Sequence, residues 1–140
     1  MKMRNKAISF VLVAAMLILM ALPIFASEQE ISPYLNNTAT ADSGFTIDTN
    51  GSATVSFTCR GYRGITTKIV VTSVIEKQVG SSWVSVDGAS WTDESTLYYC
   101  SKSHSVQLQS QGTYKATVTF TVYGSGGDAD VITSEIEKTY

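Results

Sequence analysis

The chain has 140 residues, ten of them basic and twelve acidic, with one histidine and two cysteines. Residues 1–26 hold three of the basic residues and none of the acids, so the remainder sets seven cations against twelve anions, a net charge of −5. An acidic domain approaches phosphates against its own field, which excludes nucleic acid and anionic membrane as expected partners.

Lys2, Arg4 and Lys6 precede a sixteen-residue, mostly apolar run, Ala7 to Leu22, which Pro23 ends before the polar "ASEQE". A basic end, an apolar helix and small residues form the pattern of a secretory signal, with Ala26 its expected last residue. A retained single-span anchor is the alternative, since the run approaches the length that crosses a bilayer. The proline and the acids directly after Ala26 speak against it. The expected product is released, with no membrane partner after signal cleavage. Its organisation is a signal peptide over 1–26, a polar leader over 27–37 and one domain over 38–140.

The rest of the chain is rich in Ser, Thr, Val, Gly and Tyr and shows no convincing amphipathic helix, which predicts strands and turns. A first strand is expected around Gly44 to Ile47, followed by the turn "DTNG". In "SATVSFTCRGY" Ala53, Val55, Phe57 and Cys59 fall in phase on one face. "TTKIVVTSVIEKQVGSSWVSVDG" predicts a hairpin turning at Gly80, with apolar residues on both faces of its first arm. A strand from about Ser103 to Leu108 leads into "SQGTYKATVTFTVYG", where Tyr114, Ala116, Val118, Phe120 and Val122 alternate with lysine and threonine. "GSGGDAD" is expected to be a loose turn into a last strand, Val131 to Lys138. About seven short strands with regular turns predict an all-β, antiparallel sandwich.

Cys59 and Cys100 in an exported chain are expected to pair as a disulfide, closing a loop of roughly 40 residues; two buried free thiols are the alternative. "QGTYKA" resembles the Gly-x-Tyr-x-Cys corner of immunoglobulin-like domains, carried here by Gly112 and Tyr114, with Ala116 in place of the second cysteine. The resemblance implies an immunoglobulin-like sandwich whose tyrosine hydroxyl bonds back to the preceding turn. The signal, the leader, "IEKQVGSSWVSV" and "GTYKATVTFTVYG" together resemble small secreted proteins of uncertain role from Gram-positive, Clostridia-like bacteria. That likeness implies a bacterial source and no known reaction.

Chemistry is sparsely provided for. His104 is the only base of its kind, which leaves a serine or cysteine nucleophile without an obvious partner, and it is expected to be a strand-end surface residue. One histidine and two cysteines fall short of a zinc site. Asp93 and Glu94 are neighbours, so on a strand they point to opposite faces and do not form a glycosidase pair. Asp128 and Asp130 in the glycine-rich loop are weak candidates for calcium, which needs six to eight oxygens. No catalytic residue and no cofactor is therefore expected. Trp83, Trp91, Tyr98 and Tyr99 are the candidate binding residues, for an extracellular glycan or protein, with core packing as the alternative role. The expectation is a non-catalytic binding module acting outside the cell or at its envelope. The alternatives are an assembly protein that pairs edge strands and a small secreted hydrolase.

Overall fold

A computed structural model describes residues 35–140; the expected signal and most of the leader fall outside them. Seven strands follow in order: β1 Thr38–Ile47, β2 Ser52–Gly61, β3 Thr66–Val79, β4 Ser82–Ser95, β5 Tyr99–Gln107, β6 Thr113–Gly124 and β7 Asp130–Thr139. They form two antiparallel sheets, β1-β2-β5 and β4-β3-β6-β7, consistent with a β-sandwich, and the described residues contain no helix.

The core follows the alternation of the strands. Ala53, Val55, Phe57 and Cys59 of β2 face Ile69, Val71 and Ile75 of β3 and Tyr114 to Val122 of β6, every second residue being buried. Phe57 and Phe120 meet edge to face across the sheets, with ring centroids 6.1 Å apart. Tyr114 brings a hydroxyl into this apolar layer and satisfies it by donating to the Ser110 carbonyl oxygen at 2.6 Å. The corner thus pins the β5–β6 connection to the first residues of β6. Ser73 is less well served: its hydroxyl is buried and finds no hydrogen-bond partner among the described residues.

The open sides between the sheets are each closed by a polar contact. On one side Ser43 of β1 donates to Ser134 of β7 at 2.8 Å. On the other, His104 Nε2 of β5 lies 2.6 Å from Asp93 Oδ2 of β4.

Two stretches depart from the sequence expectation. "VDGA" was expected to end the hairpin, but β4 continues through it: Val74 pairs with Ser90 and Glu76 with Ser85, which leaves residues 86–89 as a bulge. Gly88 takes φ +70°, where a side chain would strain the backbone, and the bulge re-aims Ala89 into the core. "GSGGDAD", expected to be a loose turn, is the floor on which the N-terminal segment lies. A side chain at Gly124 or Gly126 would collide with Asn36, Asn37 or the Ile65 carbonyl, so close approach of backbones requires glycine there.

That segment is held by one carboxylate. Asp130 Oδ1 accepts from the Asn36 N–H at 2.9 Å, and its Oδ2 accepts from the Asn37 N–H at 2.7 Å and the Thr38 hydroxyl at 2.8 Å. The Asn37 side chain completes the tie, donating to the Asp128 carbonyl and accepting from the Gly126 N–H. Asn36 and Asn37, assigned from sequence to the leader, therefore belong to the domain. Burial alone pushes the Asp130 carboxyl up, but the donors from Asn36, Asn37 and Thr38 together hold it below the usual aspartate value.

Candidate functional site

Cys59 and Cys100 are both free thiols, which corrects the expected disulfide. They are nonetheless directly opposite on β2 and β5. The Gly61 N–H donates to the Tyr98 carbonyl at 2.7 Å, which makes that pair a hydrogen-bonded one, and two residues along the ladder Cys59 and Cys100 are of the same kind. Such pairs hold their Cβ atoms about 5.5 Å apart, at the wide end of cross-strand spacing, whereas a disulfide needs roughly 3.5–4.5 Å. Burial pushes the Cys59 thiol up to about 11, aided by the neighbouring Cys100. Cys100 is raised too, by burial and then by Asp93. These are inert core residues rather than nucleophiles.

The four candidate aromatics go to three different places. Trp83 lies on the outer face of the four-stranded sheet, where the Lys115 ammonium sits 4.8 Å from its ring centroid. Lys115 is in turn 3.6 Å from Glu76 and 3.5 Å from Glu135, and its side chain is only 13% exposed. One face of Trp83 is thereby covered. Trp91 points the other way, against the core, and stacks on His104 with centroids 5.0 Å apart and planes 6° from parallel. The expectation that His104 is a strand-end surface residue is corrected: it is half-buried in mid-strand, clasped between Asp93 and Trp91. Asp93 and Glu94, both on β4, do point to opposite faces, Asp93 to His104 and Glu94 to Lys68 at 2.9 Å.

Tyr98 and Tyr99, by contrast, come together, their rings in edge contact at 5.6 Å. They stand at the end of the sandwich where β2 passes to β3 and β4 to β5. Arg63, from the first of those connections, donates from Nη2 to the Tyr98 hydroxyl at 3.0 Å and keeps its guanidinium 5.0 Å from the ring centroid. That hydrogen bond, and then the guanidinium charge, hold the Tyr98 hydroxyl below its ordinary value. Leu97, Tyr99 and Tyr62 are 53%, 50% and 42% exposed, an unusual apolar concentration on two neighbouring loops. Arg60 stands opposite Tyr99 on the outer face of the three-stranded sheet. Among the described residues no carboxylate is within ion-pair distance of Arg60 or Arg63.

The sequence pointed to Tyr98 and Tyr99 but passed over Tyr62, Arg63 and Leu97. A signal was available: "GYRG" sets a tyrosine and an arginine between two glycines at a sheet-to-sheet crossing, where side chains face water. The calcium candidates do not form a site of that kind. Both oxygens of Asp130 are taken by donors that a cation would have to displace, and Asp128 contributes its carbonyl to Asn37. Comparison with known families, curated proteins and solved structures finds no match.

Proposed function

We propose that the protein is a secreted, non-catalytic binding module of the immunoglobulin-like class, acting outside the cell or at its envelope through the loop end that carries Tyr62, Arg63, Leu97, Tyr98 and Tyr99. The observation that carries this reading is the Tyr98–Tyr99 pair, Tyr98 half-buried and Tyr99 exposed, braced by Arg63. Tyrosines present a large amphipathic surface with few torsions to order, and arginine adds a planar fork of donors, so loops of this composition on a rigid sandwich suit recognition. The immunoglobulin-like assignment is supported by the Tyr114 hydroxyl bonding back to Ser110, as in a tyrosine corner. It is supported as well by the strand order, which differs from the constant-type arrangement only in pairing the fourth strand with the third rather than the fifth.

Two of the four aromatic candidates leave the binding role: Trp91 packs inward, and Trp83 is capped by Lys115. The test is an array of extracellular glycans and proteins probed with the wild type and with Tyr98→Ala, Tyr99→Ala and Trp83→Ala. Loss of a signal on changing either tyrosine, with Trp83→Ala unaffected, supports the reading. A signal lost only with Trp83→Ala would move the site to the opposite sheet.

A further inference from the structure

The aromatic loops do not end in open solvent on the side of the three-stranded sheet. Arg60 and Tyr99 are directly opposite on β2 and β5, and the hydrogen-bonded Gly61–Tyr98 pair beside them makes theirs the closer, non-hydrogen-bonded kind. Arg60, Tyr99, Tyr98 and Arg63 therefore run from the sheet face round to the loop as two rings with a cation at each end. Below Arg60 and Tyr99 the same outer face carries small polar side chains in register: Thr58 beside Ser101, then Gly44, Ser56 and Ser103 side by side. Apart from Asp42, which flanks Thr58 on β1, nothing larger than threonine stands there, and the face is hollowed into an open trough of about 450 Å³. Thr58 and Ser101 share a 3.0 Å hydrogen bond, which fixes their hydroxyls at its upper end.

We infer that this surface, the proposed binding end together with the trough, takes an anionic saccharide chain. The inference rests on the binding-module reading and adds the ligand's chemistry. Tyr99 and Tyr98 offer ring faces and edges to the apolar C–H faces of a sugar. The trough offers hydroxyl donors and acceptors without bulk, which suits an extended chain of rings better than a folded protein surface. Arg60 has no hydrogen bond from its guanidinium, and Arg63 gives only one, to Tyr98, among the described residues. Each arginine has five N–H donors, so most of this capacity is free for a carboxylate or phosphate group. Asp42 of β1 stands in register with Thr58 at the upper end of the trough, and Lys102 of β5 lines its other side, so the anionic group belongs beside Arg60 and Arg63 on the loop and β5 side, away from Asp42.

The test titrates the purified protein with three probes of matched length: hexagalacturonate, which has rings and charge; its methyl ester, which has the rings alone; and an oligo(glycerol phosphate), which has charge without rings. Hexagalacturonate is expected to bind roughly tenfold tighter than either other probe, with an affinity that weakens as salt rises. Arg60→Ala removes most of that advantage and leaves the ester unchanged; Arg63→Ala removes it too but also takes the brace from Tyr98 and so weakens the ester, and Tyr99→Ala weakens both sugars. All three positions are exposed, and unchanged circular dichroism and unfolding midpoint confirm folded variants. Equal binding of the acid and the ester, weakened by Tyr99→Ala, would overturn the anionic inference and leave the tyrosine end standing. Equal binding of the phosphate oligomer and hexagalacturonate would reduce the site to charge and overturn the saccharide. Failure of all three probes would overturn the inference, and indifference of every array signal to Tyr98→Ala and Tyr99→Ala would overturn the underlying reading as well.

Discussion

Replacing Asp130 with alanine removes one carboxylate and strands three donors at the point where the chain enters the sandwich. A buried donor left without a partner costs about 1–3 kcal/mol. The three are not equal. The Asn36 N–H is only partly buried and can turn to water, and the Thr38 hydroxyl can rotate, while the Asn37 N–H is buried and has no other acceptor in reach. The expected loss is therefore nearer one and a half such penalties than three, about 3 kcal/mol. At this chain length that lowers the unfolding midpoint by roughly 12 °C. Asp130→Asn keeps an acceptor for Asn37 and Thr38 and sets its amide against the Asn36 N–H, so it costs about 1–2 kcal/mol.

The carboxylate also gives the effect a pH signature. A folded-state value held below the unfolded one contributes stability that is complete above the unfolded value, near pH 4, and is lost as pH falls through the lower folded value. Urea unfolding followed by tryptophan fluorescence, run from pH 6 to pH 2, measures both parts. Asp130→Ala within about 0.5 kcal/mol of wild type, or equal acid sensitivity in wild type and Asp130→Asn, would refute the assignment of Asp130 as the tie.

Four further outcomes are expected. Thiol titration at pH 8 finds both cysteines reactive after denaturation and nearly silent before it: Cys59, held at about 11, is ionised in only about one molecule in a thousand there, and Cys100 is buried with its thiol raised as well; rapid native labelling would contradict the burial. The same raised value makes stability fall as pH rises from about 9 toward 11, since the folded chain keeps a proton that the unfolded one releases. Tyr114→Phe keeps the ring but drops the bond to Ser110, at a cost of about 1 kcal/mol by chemical denaturation; no change would show that the corner contributes nothing. Ser73→Ala deletes a buried hydroxyl that has no partner among the described residues, so stability should hold or rise by up to about 1 kcal/mol, and a loss beyond that would mean the hydroxyl is satisfied.

How much of this was legible depended on whether a segment obeys one periodicity. β2 and β6 alternate strictly, and their residues and inward faces read directly from the sequence. β1 was seen only from Gly44 onward, because "TATADS" has no large apolar residue to mark a face, although its pairing with β2 reaches back to Thr38. β4 was cut short at Asp87-Gly88, a pair that marks turns far more often than the bulge it makes here. The cysteines were correctly placed as neighbours, but composition cannot say which kind of cross-strand pair they occupy, and that decides whether a bond fits. His104, Asp93 and Trp91 lie on strands of different sheets, so their meeting depends on how the sheets stack, which no local pattern records. Asp130 reads as a loop acid until the N-terminal segment is laid against it.

Spectral mapping tests the central claim most directly. Backbone amide shifts would be followed while the tightest-binding probe is added to the labelled protein. The account predicts that the largest changes fall on residues 60–63 and 96–101, with a weaker trail along Ser103, Ser56 and Gly44. Changes centred instead on Trp83 and Lys115, or broadening along β4 that grows with protein concentration, would contradict it and favour the opposite sheet or edge-strand assembly.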